Sequence, residues 1–156
     1  MSHFNTILTK IKTAVSDSSV ATAASLSSAE WTNYHVFDGG RAYTHGQNRG
    51  RVPFANIWRT TSDYSFDSVG STSNDQGGEL ISSWNIEIIV AKSSASDERT
   101  GEEQAYSIAE KILKAIRTDY NLALGNERMG EIENHPFGLS LKIELTINNS
   151  YSNSER

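Results

Sequence analysis

The stretch Asp97–Asn121 constrains the fold more than any other part of the sequence. Its apolar residues recur at intervals of three and four, which places them on one stripe of an α-helix: Ala105, Ile108, Ala109, Ile112, Leu113 and Ile116. Acidic side chains near its start and basic side chains near its end suit the helix dipole. Because a helix with a single apolar stripe needs a surface to pack on, the flanking sequence must supply one.

Two predicted strands flank this helix. Leu80–Ala91 carries its large apolar residues on one parity: Leu80, Trp84, Ile86, Ile88 and Val90. After the helix, residues 139–148 alternate apolar and polar side chains, which predicts a half-buried strand with a solvated back face. We therefore expect the helix to lie across a sheet that contains both strands.

The first half of the chain adds a helix and a hairpin. Apolar residues at helical spacing predict an N-terminal helix over about residues 1–15. Ser16–Ala29 is rich in serine and alanine and predicts a linker or a weak helical turn. Residues 53–91 predict a long antiparallel hairpin, opened by a proline, whose polar distal half at Thr60–Glu79 projects as an arm. Met129–His135 predicts one further strand.

The predicted fold is a single α+β domain over residues 1–156. It has a mixed, mainly antiparallel sheet, two helices packed on that sheet and the long projecting β-hairpin. Its segments are an N-terminal helix at about 1–15, the hairpin at 53–91, the central helix at 97–121, a final strand at 139–148 and a flexible tail at 149–156.

Composition excludes several kinds of site. The 14 basic and 19 acidic residues give a formal net charge of -5, which argues against a basic surface for nucleic-acid binding. The chain has 0 cysteines, so disulfides, cysteine-ligated zinc and cysteine nucleophiles are excluded. No apolar run approaches the roughly 18 residues of a membrane span, and the N-terminus has no pattern of a secretory signal. We expect no membrane association.

Catalytic motifs are absent from the sequence. The serines lie in no nucleophile elbow, and the glycine pairs are not followed by the Lys-Ser/Thr pair of a phosphate-binding loop. His35, Asp38 and His45 are the candidates for a metal or acid–base site, but their spacing matches no metal-binding motif. We predict no catalytic residue, no metal ligand and no cofactor. Two alternatives stay open: a small hydrolase or binding enzyme that uses His35, Asp38 or His45, and a monomeric ligand- or peptide-binding α+β module that uses an exposed sheet edge.

The order of elements carries a resemblance to a known family. A first helix and a Gly/Arg-rich loop lead into Arg51-Val52-Pro53-Phe54-Ala55-Asn56-Ile57, followed by the hairpin. The central helix ends in Ala115-Ile116-Arg117-Thr118-Asp119-Tyr120-Asn121-Leu122, and an alternating strand follows. This layout resembles the tail-terminator (tail-completion) proteins of tailed bacteriophages. The resemblance covers about residues 3–148 and concerns layout, not a catalytic signature. The chain departs from the family in its longer Ser16–Thr44 region and its more polar hairpin.

The resemblance implies a structural virion protein and not an enzyme. Such subunits form a ring, commonly a hexamer, that caps the tail tube, ends its polymerisation and offers a surface to the head–tail connector protein. DNA passes through the bore without specific binding, and a negative subunit suits such a lumen. The implied location is the tail–head junction of a virion made in the host bacterial cytoplasm. Head-closure (neck connector) proteins share a similar design, and this role in the neck is the alternative.

A ring of this kind implies a contact between two unlike surfaces of neighbouring subunits. One predicted surface is the basic loop with three arginines. The other is the arm, which carries aromatic residues and acidic residues that are opposite in charge to the arginines. The predicted interface residues are Arg41, Arg49, Arg51, Asp63, Tyr64, Phe66, Asp67, Asp75 and Glu79.

Overall fold

The computed structural model describes residues 3–38, 52–66, 78–92, 99–118, 124–136 and 138–151. Within these ranges the helices are α1 (His3–Val15), α2 (Ser18–Ala23), α3 (Ser28–Tyr34) and α4 (Arg99–Thr118). The strands are β1 (Val36–Phe37), β2 (Phe54–Phe66), β3 (Gly78–Val90), β4 (Leu124–Met129), β5 (Glu133–His135) and β6 (Gly138–Tyr151).

All six strands belong to one sheet, in the order β1-β2-β3-β6-β4, with β5 also paired to β6. β1 runs parallel to β2, and every other pairing is antiparallel. The predicted α+β fold with a mixed, mainly antiparallel sheet is therefore confirmed. Two helices beyond the expected two also fold in the first third of the chain.

The central helix packs as the sequence predicts. α4 contacts β3 and β6, and the residues of its predicted stripe are buried. The sheet presents a matching row of buried side chains on the side facing the helices, which we call the core face: Leu80, Trp84, Ile86, Ile88, Leu139, Leu141, Ile143, Leu145 and Ile147. Arg99 is the first helical residue, while 97–98 and 119–121 lie outside the described residues.

The Ser/Ala-rich segment folds into helices and is not a linker. The Asp17 side chain accepts a hydrogen bond from the Ser19 amide at 2.9 Å, which caps α2. Ser27 caps α3 in the same way through the Glu30 amide at 3.2 Å. The indole Nε1–H of buried Trp31 donates to the carbonyl oxygen of Val15 at 2.8 Å. Caps and a buried aromatic anchor together compensate for the short length of these helices.

The predicted hairpin is formed by β2 and β3, which pair from Phe54↔Ile89 to Phe66↔Gly78. A bulge between Arg59 and Thr61 shifts the register. Positions before the bulge and positions after it that share sequence parity therefore lie on opposite faces of the sheet. The common parity of Phe54, Trp58, Tyr64 and Phe66 in the sequence thus does not give them a common face. Within the predicted arm Thr60–Glu79, residues 67–77 lie outside the described residues.

The last strand is longer than predicted. β6 pairs with β3 from Leu139 to Tyr151, so residues 149–151 belong to the sheet and not to a flexible tail. The alternation of side chains stops after Ile147, but backbone pairing with β3 does not depend on it. Residues 152–156 lie outside the described residues.

The predicted strand Met129–His135 is wrong in its bounds, because two short strands, β4 and β5, share this region. Both pair with β6, which a turn connects to β5. Gly138 has a φ of 149°, and a Cβ atom at this position would lie 1.9 Å from the Val90 carbonyl oxygen. Only glycine fits this close approach of the turn to β3.

Candidate functional site

The structure describes only part of the predicted subunit interface. Asp63 is exposed on β2. Tyr64, Phe66 and Glu79 lie in the paired stretch of β2 and β3. The remaining predicted residues are outside the described ranges: Arg41, Arg49, Arg51, Asp67 and Asp75. The pairing of the basic loop with the arm therefore stays a prediction.

The candidate acid–base residues have structural contacts in this fold. His35 ends α3, and its ring stacks on Trp31 with 6.2 Å between centroids. The Nδ1 atom of His35 lies 2.8 Å from the carbonyl oxygen of Pro53, and its backbone oxygen accepts from the Ala55 amide at 2.9 Å. These contacts join α3 and β1 to the start of β2. His35 is therefore a packing residue in this structure.

Asp38 forms an ion pair with Lys12, with 3.2 Å between Oδ2 and Nζ. The two side chains are 42% and 43% exposed, and a pair this accessible to solvent contributes little to stability. His45 lies outside the described residues. Among the residues that the structure describes, no three His, Asp or Glu side chains are grouped to hold a metal ion.

The back face of the sheet, opposite the helices, holds a buried polar cluster that the sequence did not predict. Asn56, Glu87 and Ser140 are at most 4% exposed. The Ser140 hydroxyl donates to Glu87 Oε2 at 2.7 Å. The second carboxylate oxygen of Glu87 is also buried, without a hydrogen-bond partner among the described residues. The prediction of a solvated back face is therefore wrong at this end of the sheet.

Apolar side chains accompany this polar cluster. Phe54 and Ile89 are fully buried on the back face and are register partners across β2 and β3. The sequence held one signal of this burial, because Ile88, Ile89 and Val90 form a continuous apolar run. A strand that buries both faces shows such a run and not an alternation.

A cleft of about 510 Å³ lies beside Ser140, along β4, β5 and β6. Charged side chains of both signs line it: Arg128, Glu131, Glu133, Lys142 and Glu144. Glu131 and Glu133 are exposed there. The cleft is the candidate binding site if the protein takes a small ligand.

The two outer edges of the sheet differ in how they are covered. β1 pairs with β2 only at Ala55 and Asn56, so within the described ranges β2 has no strand on its outer side from Ile57 to Phe66. At the other edge, β4 pairs with β6 on one side, and no described strand pairs with its other side. Unpaired edges offer backbone hydrogen bonds to another chain.

An ion pair fixes β4 to the central helix. The Arg117 guanidinium donates from Nε to Glu127 Oε2 at 3.1 Å and from its NH2 group to the other carboxylate oxygen. This two-point contact joins the last turn of α4 to the edge strand β4. The β4 edge is therefore positioned by the helix layer as well as by β6.

In the part of the chain that the structure describes, no helix is long and apolar enough to cross a membrane. No protein-family model matches the chain, and the search of curated proteins found no match.

Proposed function

We propose that this protein is a structural subunit that forms a ring on the end of a bacteriophage tail tube. In this role it is not an enzyme and needs no cofactor. The ring, a hexamer, ends tube polymerisation and presents a surface to the head–tail connector protein. DNA passes through its bore without specific binding. The protein acts at the tail–head junction of the virion.

The order of elements along the chain supports the proposal most directly. A first helix, a strand that opens after Pro53, a long hairpin, a central helix and a closing strand follow one another. This is the layout on which the resemblance to tail-terminator proteins rests. The sheet packs its helices on one face and leaves outer strand edges unpaired within the described ranges, which suits lateral assembly.

The net charge of -5 agrees with a bore that DNA traverses. A lumen that repels phosphate lets DNA slide without adhering, since affinity for DNA depends mainly on neutralising its backbone.

Native mass spectrometry across concentration, combined with electron microscopy, tests ring formation. We expect monomer at micromolar concentration and closed hexameric rings at high concentration or on tubes, because polar contacts associate weakly. Capping is tested with the tail-tube protein of the same genome. Tubes polymerised with this protein should be shorter and carry end density, whereas tubes polymerised alone should not. Equal tube lengths and bare ends in both samples would refute the proposal.

The cleft beside Ser140 favours a second candidate, a small-ligand binding module. Its charged lining suits a polar ligand with groups of both signs. A monomer at every concentration that binds a small molecule at this cleft would support that function over ring formation. A head-closure protein of the neck, the third candidate, would bind the connector and leave tail tubes uncapped.

A further inference from the structure

The directions of the two edge strands are compatible with pairing between copies. β2, β3, β6 and β4 are successive antiparallel neighbours, so β4 runs opposite to β2. If a second copy is placed beside the first with its helices on the same side, its β2 lies antiparallel to β4 of the first. Antiparallel edge strands can pair through backbone N–H···O=C hydrogen bonds, so the two sheets can continue into one another.

The backbone groups on the two edges also match. The Ala55 amide donates toward β1, so this position of β2 faces the outer edge. The bulge between Arg59 and Thr61 changes the alternation, and beyond it Ser62 and Tyr64 direct their backbone groups outward. On β4, the Arg128↔Glu144 register and the bond from the Gly130 amide to the Lys142 oxygen at 2.8 Å orient even positions toward β6. The backbone N–H and C=O groups of Glu127 and Met129 therefore point away from β6, toward the open edge.

One register brings opposite charges together on one face. Asp63 is opposite Ile81, and Arg128 is opposite Glu144, which places both on the back face. Both side chains are exposed, and neither forms an ion pair among the described residues. When Asp63 of one copy faces Arg128 of the next, Tyr64 faces Glu127 and Ser62 faces Met129. The outward backbone groups then pair, and the two charges occupy a non-hydrogen-bonded position, where side chains lie closest.

Two-fold pairings of the same edges are less favourable when they are centred on a charged residue. Pairing β2 with β2 about Asp63 places two carboxylates opposite each other. Pairing β4 with β4 places either two arginines or two glutamates opposite each other when centred on Arg128 or Glu127. Like charges at directly opposed positions destabilise a strand pair. A head-to-tail contact avoids this repulsion, and repeated head-to-tail contacts close a ring when the rotation divides the circle.

We propose that a second copy of this chain adds its β2 edge to the β4 edge, with Asp63 of one subunit opposite Arg128 of the next. This inference rests on the proposed function in one respect: it takes a second copy of this chain as the partner. It adds Arg128 to the interface and uses Asp63, whereas the sequence pointed to the arginines of the 41–51 loop.

Cysteine cross-linking tests the register directly, because the natural sequence contains 0 cysteines. We expect Asp63→Cys protein mixed with Arg128→Cys protein to form a disulfide-linked dimer under mild oxidation, since directly opposed positions fall within disulfide reach. Each variant alone should stay monomeric on a non-reducing gel. Peptide mass spectrometry should identify the linked segments. A homodimeric link in the Asp63→Cys sample would indicate two-fold pairing and overturn the proposal.

Charge reversal supplies a second, independent readout. Asp63→Arg or Arg128→Asp alone should weaken association at least about fivefold, and the double exchange Asp63→Arg with Arg128→Asp should restore it. Glu110→Lys, at an exposed position of α4, is the matched control and should leave association unchanged. Unchanged melting temperatures would show that all variants fold. Equal association of the single variants and the control would contradict the proposed contact.

The two proposals fail separately. Oligomers in native mass spectrometry without the mixed cross-link would overturn this interface and leave the ring function standing. A mixed cross-link in a protein that does not cap tail tubes would overturn the function and leave the interface standing. Absence of both oligomers and cross-links at millimolar concentration would overturn the interface.

Discussion

Ser140 and Glu87 form a buried hydrogen bond between two neighbouring strands, with 2.7 Å between the serine hydroxyl and the carboxylate. They lie on the face of the sheet that the sequence left to solvent. The residues are 53 positions apart in the chain, and each is at most 4% exposed. A carboxylate in such a position depends on its donor, because burying an unsatisfied polar group is unfavourable.

Ser140→Ala should therefore lower the free energy of unfolding by about 1–3 kcal/mol, the cost of leaving a buried acceptor without its donor. Urea denaturation measures the change. Thr61→Ala, at an exposed position of β2, is the control and should have little effect. Glu87→Leu combined with Ser140→Ala should be less destabilising than the sum of the single changes, because both polar partners are then removed. If the effects of the two changes on the free energy of unfolding simply add, the Ser140–Glu87 hydrogen bond does not contribute to stability.

Ile112→Asp should unfold the domain. Ile112 is fully buried between α4 and the sheet, and a carboxylate there has no partner to compensate for lost hydration. The loss should exceed about 4 kcal/mol, which is a large part of the stability of an ordinary domain. Circular dichroism on heating measures it. Lys111→Asp, at the exposed neighbouring position, should melt close to wild type. Similar melting of Ile112→Asp and wild type would contradict the packing.

Gly138→Ala should destabilise the domain by about 3 kcal/mol, because a Cβ atom would meet the Val90 carbonyl oxygen at 1.9 Å and the φ of 149° disfavours alanine. Gly130→Ala is the matched control. A Cβ at that glycine would make an ordinary contact of 3.5 Å with the Lys142 oxygen. Chemical denaturation of both variants should separate them clearly. Equal stability would mean that the turn rearranges without cost.

Elemental analysis of untagged protein should find no stoichiometric zinc, manganese or iron. The reason is that His35 stacks on Trp31 and lies against Pro53, where its contacts hold α3 to the sheet. Replacing His35 and His45 together by Ala should leave oligomers intact, although the loss of packing at His35 should lower the melting temperature. One metal ion per chain, lost in the double variant, would instead favour the hydrolase alternative.

Amide exchange should distinguish the two sides of β2 beyond its bulge. In the monomer, the outward amides of Ser62 and Tyr64 should exchange fast, while those of Thr61 and Asp63, which face β3, should exchange slowly. On assembly the outward pair should become protected. Apart from its amides that face β3, the rest of the arm, Thr60–Glu79, is expected from its polar composition to follow the same change. Strong protection of Ser62 and Tyr64 in the monomer would contradict an open edge.

The sequence by itself determined the elements with a strong internal period. The stripe from Ala105 to Ile116 and the alternation from Leu139 to Ile147 are local patterns, because side chains three or four residues apart share a helix face and side chains two apart share a strand face. These patterns suffice to predict the central helix, the final strand and the α+β class. The hairpin also follows from two long strand-like segments around a polar tip.

Only the tertiary structure decided the features that depend on distant parts of the chain. The side-chain alternation of each strand predicts that Glu87 and Ser140 are exposed to solvent. Their burial is seen only once β3 and β6 lie side by side. The Asn149–Tyr151 end has no apolar alternation and is ordered by backbone pairing with β3. The bulge at Thr60 changes which residues share a face, and it leaves no period in the sequence. The Asp63–Arg128 register proposed here likewise depends on strand order and bulge position, which side-chain periodicity does not encode.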